Sequence, residues 1–236
     1  LDAAVCALRA NMDHFQESNF FCNKGEPIRA AMLPSDLYGH ARLQQWIELA
    51  IHDCRKFMPD PLSVFDPART ALVLLGPHQQ RPHADPVLYM NLALDALAHA
   101  GKGHLMPGEY TCNTIAGGRA GLGKALLHAA HYLGATGFEQ VLLIGMDSYL
   151  NAADISRLLH AERLFVTDNS NGFLPGEAAS ALLLRLAPPG SPGLHIQGVG
   201  HALEAGRPDG SVPSRGQGLS EAIRRACQQA QCPPEA

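Results

Sequence analysis

The fold of this chain is decided by residues 117–184, in which three segments follow one another: GGRAG (117–121), VLLIGMD (141–147) and GFLPGEAASALLL (172–184). The first segment is a glycine-rich turn that opens a helical pattern over 122–133. The apolar run from Val141 to Ile144, closed by glycine, is too short for an amphipathic helix and is typical of a buried strand. A strand, a helix and another strand in this order predict a parallel crossover unit.

Helix and strand patterns continue on both sides of this stretch. Apolar residues at steps of three and four predict helices over 1–12, 37–57, 87–100, 151–162 and 218–231. Short apolar or β-branched runs predict strands over 28–33, 71–76, 110–115 and 181–187. Residues 14–34 are predicted as a mixed loop that contains a turn at 23–27 and the strand over 28–33. The Pro- and Gly-rich connection at 188–193 predicts an antiparallel pair between the strand before it and a further strand over 194–199.

The same stretch resembles the N-terminal half of the β-ketoacyl synthases, which belong to the thiolase-like superfamily. In that family a nucleophile at a helix start is followed by a helix, a buried strand ending in glycine, and a GFxxGEG-type turn into an apolar strand. GFLPGEAAS (172–180) is the most specific match. The resemblance implies an α/β, thiolase-like layered fold with a mixed, mainly parallel sheet between helices. It also implies that residues 1–236 are one ketosynthase-like N-terminal domain whose C-terminal half lies outside this sequence.

Composition and charge exclude several classes of partner. The net charge is -4 with 17% charged residues, and no stripe of Lys and Arg is present that could neutralise nucleic-acid phosphates. No apolar run approaches the ~20 residues that a membrane helix needs, and no signal-peptide pattern is present. Six scattered cysteines without a CxxC pair favour reduced thiols. We therefore expect a cytoplasmic protein without nucleic-acid or membrane partners.

The expected nucleophile is the main departure from the family pattern. A ketosynthase needs a thiolate at a helix start, where the dipole and free N–H groups lower the thiol pKa. Counting back from the helix and strand that match best, the family's cysteine falls near Gly118, Arg119 or Ala120, and none of these is cysteine. The nearest thiol is Cys112, on the predicted strand over 110–115. Cys112 is therefore the one catalytic candidate, with a buried structural thiol as the alternative.

Three charged residues are candidates for lining or supporting a pocket. Glu177 matches the family's buried glutamate, and a structural clamp on neighbouring backbone N–H groups is favoured over proton transfer. Arg119 stands at a helix start, where the dipole disfavours a cation. We expect it to reach a carboxylate such as Asp147 or Glu177. The glycine turn and Glu177 are predicted to face a common cleft.

Other kinds of site have weaker signals. Residues 118–125 nearly spell the phosphate loop GxxxxGK[ST], but Ala125 replaces the hydroxyl that ligates Mg²⁺, so a degenerate nucleotide site is the lesser alternative. His128 and His131 are spaced for co-ligation on one helix, yet HExxH is absent. His160 and Glu162 spell HxE without the PCxxC that deaminases need. We expect neither a metal nor a cofactor.

The resemblance implies a transferase class of function: acyl transfer and carbon–carbon condensation on carrier-bound thioesters, in fatty acid or polyketide biosynthesis. The partners it implies are an acyl carrier protein or acyl thioester and a second ketosynthase-like chain, in a homodimer or a heterodimer. The predicted strand over 110–115 is the expected dimer edge. Two alternatives remain: an acyltransferase that uses Cys112 or chemistry from residues elsewhere, and a catalytically silent binding or assembly partner.

Overall fold

A computed structural model describes residues 2–13, 15–56, 58, 65–82, 84–100, 109–188, 190–206 and 211–233. The helices are α1 (Asp2–Arg9), α2 (Gly39–Arg55), α3 (Pro86–Ala100), α4 (Leu122–Ala135), α5 (Ala152–His160) and α6 (Gln217–Ala230). The strands are β1 (Phe15–Phe21), β2 (Pro27–Ala31), β3 (Thr70–Leu75), β4 (Cys112–Ile115), β5 (Gln140–Ser148) and β6 (Glu177–Arg185). A short 3₁₀ turn, Gly118–Gly121, leads directly into α4.

The central sheet has four strands in the order β4-β3-β5-β6. β4 and β5 both run parallel to β3, and β6 runs antiparallel to β5. The mixed, mainly parallel sheet predicted from the sequence is therefore confirmed. β4 and β6 are the two outermost strands of this sheet.

Helices cover both faces of the sheet. α2 and α3 pack on one face, where the fully buried side chains include Ile47, Leu72, Leu97 and Leu142. α4 packs on the other face through Ala125 and Ala129, which are small enough to let the helix approach the strands closely. Burying each large aliphatic side chain contributes about 1.5–3 kcal/mol, so these two clusters supply most of the apolar stabilisation.

The predicted mixed loop over 14–34 is wrong in part, because β1 and β2 form an antiparallel hairpin within it. The turn between them is closed by two backbone hydrogen bonds, from Cys22 N–H to Glu26 O and from Gly25 N–H to Cys22 O, each 2.9 Å. The sequence FQESNFF carries no apolar run because only Ser18 of this strand is buried. A strand with so few buried side chains lacks the alternation of apolar and polar residues by which a strand is predicted.

The predicted strand over 194–199 is also wrong. In the described chain β6 pairs with β5 along its whole length, from Gln140 opposite Arg185 to Ser148 opposite Glu177. Residues 194–206 form no helix or strand. Part of this segment lies against α6, where a Cβ added at Gly200 would stand 1.7 Å from the Ala222 carbonyl oxygen. Glycine at this position lets the segment lie directly against the backbone of α6. The apolar residues therefore pack beside a helix instead of pairing with a strand.

None of the helices in the described ranges combines the length and the apolarity that crossing a bilayer requires.

Candidate functional site

The carboxyl ends of β4, β3 and β5 meet at one edge of the sheet, and antiparallel β6 begins there. In parallel sheets this edge is where ligands bind, because the loops that follow the strands gather there. The glycine turn follows β4, Arg81 lies in the loop after β3, Asp147 is near the end of β5, and Glu177 opens β6. We call this region the carboxyl edge.

Arg81 is the centre of a buried charge cluster at this edge. Its Nη1 lies 2.5 Å and 2.6 Å from the two carboxylate oxygens of Asp147, and its Nη2 lies 2.7 Å from Oδ2 of Asp154. The same Nη2 donates to the Ser148 carbonyl oxygen at 2.7 Å. The side chain of Arg81 is only 8% exposed and that of Asp154 only 1%. One guanidinium therefore pairs with two carboxylates, one on β5 and one on α5, and its single charge balances only one of them.

The two carboxylates have opposite pKa shifts. Burial raises the pKa of Asp147, although Arg81 opposes this, and the charge of Asp154 adds to the rise. Burial would also raise the pKa of Asp154, but hydrogen bonds from Arg81 and Asn151 outweigh it and hold the pKa below its ordinary value. Asn151 caps α5 by accepting from the Asp154 N–H and donating to its carboxylate, both at 2.9 Å. Asp154 is thus the better satisfied anion of the two.

Aromatic rings close the cluster on two sides. The guanidinium carbon of Arg81 lies 3.8 Å from the ring centroid of Tyr149, which is a favourable cation–π geometry. Tyr149 meets Phe173 edge to face, with centroids 5.6 Å apart. Burial, with the negative charge of Asp147, raises the pKa of Tyr89 to about 12. The tyrosine hydroxyl beside this cluster is therefore protonated at neutral pH.

Glu177 belongs to a second buried ion pair. Its Oε1 accepts from Nε of Arg42 at 2.7 Å, and the two side chains are 2% and 8% exposed. Arg42 also donates to the carbonyl oxygens of Leu33 and Ser35, so it holds the loop between β2 and α2. The carboxylate acts as a clamp, but through an arginine rather than through the neighbouring backbone N–H groups that the sequence suggested.

The glycine turn is built from backbone contacts. Gly118 N–H donates to the Gly76 carbonyl at 3.1 Å, and Gly76 N–H donates to the Ile115 carbonyl at 3.0 Å. Gly118 has φ +54, and a Cβ at this position would stand 3.3 Å from the backbone nitrogen of His78. Only glycine meets both conditions without strain. The turn therefore locks the loop after β4 onto the loop after β3.

A small recess lies beside this turn at the ends of β3 and β4. It is lined by Gly76, Pro77, Ala84, Pro86, Tyr89, Thr114 and Ala116. This lining contains no thiol, imidazole or carboxylate. The recess offers backbone polar groups and two hydroxyls but no strong nucleophile or base.

Cys112 is not close to the helix start. It opens β4, opposite Leu72 in the register, whereas the turn into α4 follows the other end of that strand. Its side chain packs at the border of the core under α2 and α3. Burial raises the pKa of the Cys112 thiol to about 11, against a weaker opposing hydrogen bond with Thr114. The position lacks the electropositive surroundings that activate a cysteine.

The predicted contact of Arg119 with Asp147 or Glu177 is wrong. Arg119 is exposed on the 3₁₀ turn and makes no ion pair within the described ranges. The two carboxylates are instead paired with Arg81 and Arg42. The reason is the strand order: β4 and β6 are separated by β3 and β5, so the turn and Glu177 stand roughly 14 Å apart at the spacing of sheet strands. They share the carboxyl edge but sit at its two ends.

The weaker signals gain no further support from the structure. Ala125 is fully buried against the sheet, so the side chain after Lys124 faces the core rather than a phosphate loop. Nδ1 of His128 lies 2.8 Å from the Asn113 amide nitrogen. The described part of the chain holds no group of three or more His, Cys, Asp or Glu arranged for a metal ion.

Sequence reasoning missed Arg42, Arg81 and Asp154. Arg42 had a signal, because it falls on the same helical stripe as Leu43 and Trp46, where a charge needs a buried partner. Asp154 also had one, because it follows the capping residue Asn151 by three positions. Arg81 lies in a proline-rich loop and had none.

No protein-family model matches the chain, and no curated protein is similar to it in sequence. Several solved structures are weakly similar, and three of them are described below. A 3-oxoacyl-(acyl-carrier-protein) synthase III from Aquifex aeolicus VF5 is 15% identical with a TM-score of 0.42, over 89% of this chain and 61% of that chain. The priming β-ketosynthase of the R1128 polyketide pathway is 17% identical with a TM-score of 0.39, over 81% and 52%.

A further 3-oxoacyl-(acyl-carrier-protein) synthase III is 15% identical with a TM-score of 0.43, over 89% of this chain and 64% of that chain. The chain thus spans between 52% and 64% of the length of these structures.

Proposed function

We propose that this chain is a β-ketoacyl synthase-like protein that takes part in acyl transfer and condensation on carrier-bound thioesters without supplying the nucleophile. Its role is that of a binding or assembly partner. The observation that carries this is the start of α4: residues 118–121 present glycine, alanine and one exposed arginine where the family has a cysteine. An acyl-enzyme needs a nucleophile at this position, aligned with the N–H groups of the helix start.

The turn at Gly176 and Glu177 supports the family part of the proposal. GFLPGEAAS is the most specific match in the sequence. Its glutamate is buried in an ion pair, and the turn fastens two neighbouring segments through Ala31 N–H to Pro175 O and Tyr149 N–H to Gly176 O. These contacts give the segment a role in packing that does not depend on catalysis.

The competing function is an acyltransferase that uses Cys112. Two observations weigh against it: the thiol stands at the opposite end of β4 from the helix start, and its pKa is about 11. At neutral pH only about one thiol in ten thousand would then be ionised. A catalytic thiol needs the reverse shift.

The first experiment incubates the protein with an acyl-CoA thioester and follows the intact mass. We expect no acyl adduct, and iodoacetamide should alkylate the exposed Cys6 well before Cys112. An adduct that is lost in Cys112→Ala, but kept in Cys6→Ala, would establish the competing function.

The second experiment measures binding of an acyl carrier protein. We propose that the carrier binds through charge complementarity, because Arg119 and Lys124 are exposed cations beside the glycine turn and would attract an acidic surface. We expect Arg119→Glu with Lys124→Glu to weaken binding about tenfold at low salt, while Arg9→Glu on α1 leaves it unchanged. Equal weakening by Arg9→Glu, or no binding by the unaltered chain, would contradict a carrier site at this turn.

The third experiment concerns a second ketosynthase-like chain, which we propose to pair along β4. Within the described sheet, β4 has β3 on one side and nothing on the other. Leu72 N–H bonds to Thr111 O and Gly76 N–H to Ile115 O, so the alternating backbone directs the Thr114 N–H outward. Thr114→Pro should therefore lower the measured molar mass to that of a monomer without unfolding the sheet. An unchanged dimer, by light scattering, would place the interface elsewhere.

A further inference from the structure

Two cysteines, Cys227 and Cys232, flank the C-terminal cap of α6. The helix ends with Gln231 in the left-handed conformation, at φ 53 and ψ 34. Gln231 N–H donates to the Gln228 carbonyl at 3.2 Å, and Cys232 N–H donates to the Cys227 carbonyl at 3.0 Å. This pair of hydrogen bonds defines a Schellman cap, in which the side chains at the positions of Cys227 and Cys232 normally make an apolar contact.

The hydrogen bond limits how far apart the two residues can be. The Cα of Cys227 lies about 2.4 Å from its own carbonyl oxygen, and the Cα of Cys232 about 1.5 Å from its nitrogen. With the 3.0 Å hydrogen bond between those atoms, the two Cα atoms cannot be more than about 7 Å apart even if the path were straight. Because the path bends at each atom, the separation falls inside the range of roughly 4.4–6.8 Å that disulfides span.

We propose that Cys227 and Cys232 form a dithiol–disulfide site that closes the cap of α6. Both residues are half-buried and carry free thiols. The Cys232 thiol donates to the Pro233 carbonyl oxygen at 3.5 Å. Disulfide formation therefore requires a rotation of this side chain about its Cα–Cβ bond toward Cys227. The reactant is a low-molecular-weight disulfide such as glutathione disulfide.

The reaction is a thiol–disulfide exchange in two steps. One cysteine loses its proton, and the thiolate attacks a sulfur of glutathione disulfide, which forms a mixed disulfide and releases one glutathione thiolate. The second cysteine thiolate then attacks the protein sulfur of that mixed disulfide and releases the second glutathione. Two protein S–H bonds are lost, one protein S–S bond forms, and glutathione disulfide is reduced to two glutathione molecules.

A disulfide at the cap would also affect the segment that packs against the last turn of α6. Val199 N–H donates to Oε1 of Gln229 at 2.6 Å, so the last turn of α6 holds the segment before it. A disulfide between Cys227 and Cys232 fixes that last turn. We expect the amide protons of Gln231 and Cys232 to exchange at least tenfold more slowly in the oxidised chain.

The experiment uses the whole chain in glutathione buffers of increasing disulfide content, followed by alkylation and tryptic digestion. Cleavage after Arg225 places Cys227 and Cys232 in one peptide that begins at Ala226, while every other cysteine falls in a separate peptide. We expect that peptide to become unalkylated and about 2 Da lighter than its reduced form. This should occur at a glutathione disulfide concentration about tenfold below that which modifies the exposed Cys6, because the second step is intramolecular.

Two variants separate the cap from mere closeness in sequence. Gln231→Gly keeps the left-handed residue and should leave oxidation unchanged or easier. Gln231→Val disfavours that conformation and should require about tenfold more glutathione disulfide. The proposal is overturned if the peptide carries two glutathione adducts without the lighter form, or if the valine variant oxidises as readily as the glycine variant.

Discussion

The two ends of the carboxyl edge are built differently. Around β5 and β6, Arg81 and Arg42 pair with three buried or half-buried carboxylates. Around β4, the chain offers a glycine turn held by backbone hydrogen bonds and a recess without a strong nucleophile. The ion pairs of the charged end connect separate elements and stabilise the fold. The glycine end is the one at which we propose that a carrier protein binds.

The largest expected effect is at Arg81. Arg81→Ala leaves the carboxylate of Asp154 buried without its main cation, so we expect the free energy of unfolding to fall by about 3–5 kcal/mol. Arg157 also contacts Asp154, at 3.4 Å, but is 46% exposed. Arg157→Ala should therefore cost no more than about 1 kcal/mol. Urea denaturation of both variants checks this, and equal losses would mean that Arg81 is not the dominant partner.

Glu177 should follow, with a somewhat smaller effect. Glu177→Ala leaves Arg42 buried, but the arginine keeps its backbone carbonyl partners, so we expect a loss of about 2–3 kcal/mol. Glu139→Ala removes an ion pair between exposed side chains and should change stability too little to measure. If the two variants unfold at the same denaturant concentration, the Glu177 clamp is not structural.

The pH dependence should separate the two aspartates at Arg81. The pKa of Asp154 is lowered by folding, so its contribution is present above its unfolded pKa and is lost as pH falls through the folded pKa. The pKa of Asp147 is raised, so its contribution has the opposite sign and grows on acidification. Stability curves between roughly pH 2.5 and 7 should become shallower in Asp154→Asn and steeper in Asp147→Asn. The same change of slope in both variants would refute the assignment.

The smallest effects concern two glycines near α4. Gly118→Ala forces a left-handed alanine against His78 and should cost about 1–2 kcal/mol. Gly134 lies in α4 with no heavy atom within 4 Å of an added Cβ. Gly134→Ala should stabilise the protein by about 0.5 kcal/mol, because helical glycine is entropically costly. Thermal unfolding shifts in opposite directions check the pair, and shifts of one sign would contradict this account of the turn.

Most of the fold could be predicted from local sequence. The apolar stripes of α2, α3 and α4 and the buried runs of β3 and β5 carry a clear period, because their side chains face one or two packed layers. β1 and the segment over 194–206 could not be predicted in this way. β1 has only one buried residue, and the segment over 194–206 packs in part against α6 rather than pairing with a strand.

The candidate site divides in the same manner. The sequence by itself determined that no cysteine stands at the start of α4 and that a glycine-rich turn precedes this helix, because these depend on residue type and on neighbours in the chain. The burial of Glu177 was expected from the family resemblance. Only the tertiary structure decided which cation pairs with each carboxylate. Arg81 lies in the loop after β3, 66 residues before its partner Asp147. Arg42 lies on α2, 135 residues before its partner Glu177. Such pairs depend on strand order, which local patterns do not contain.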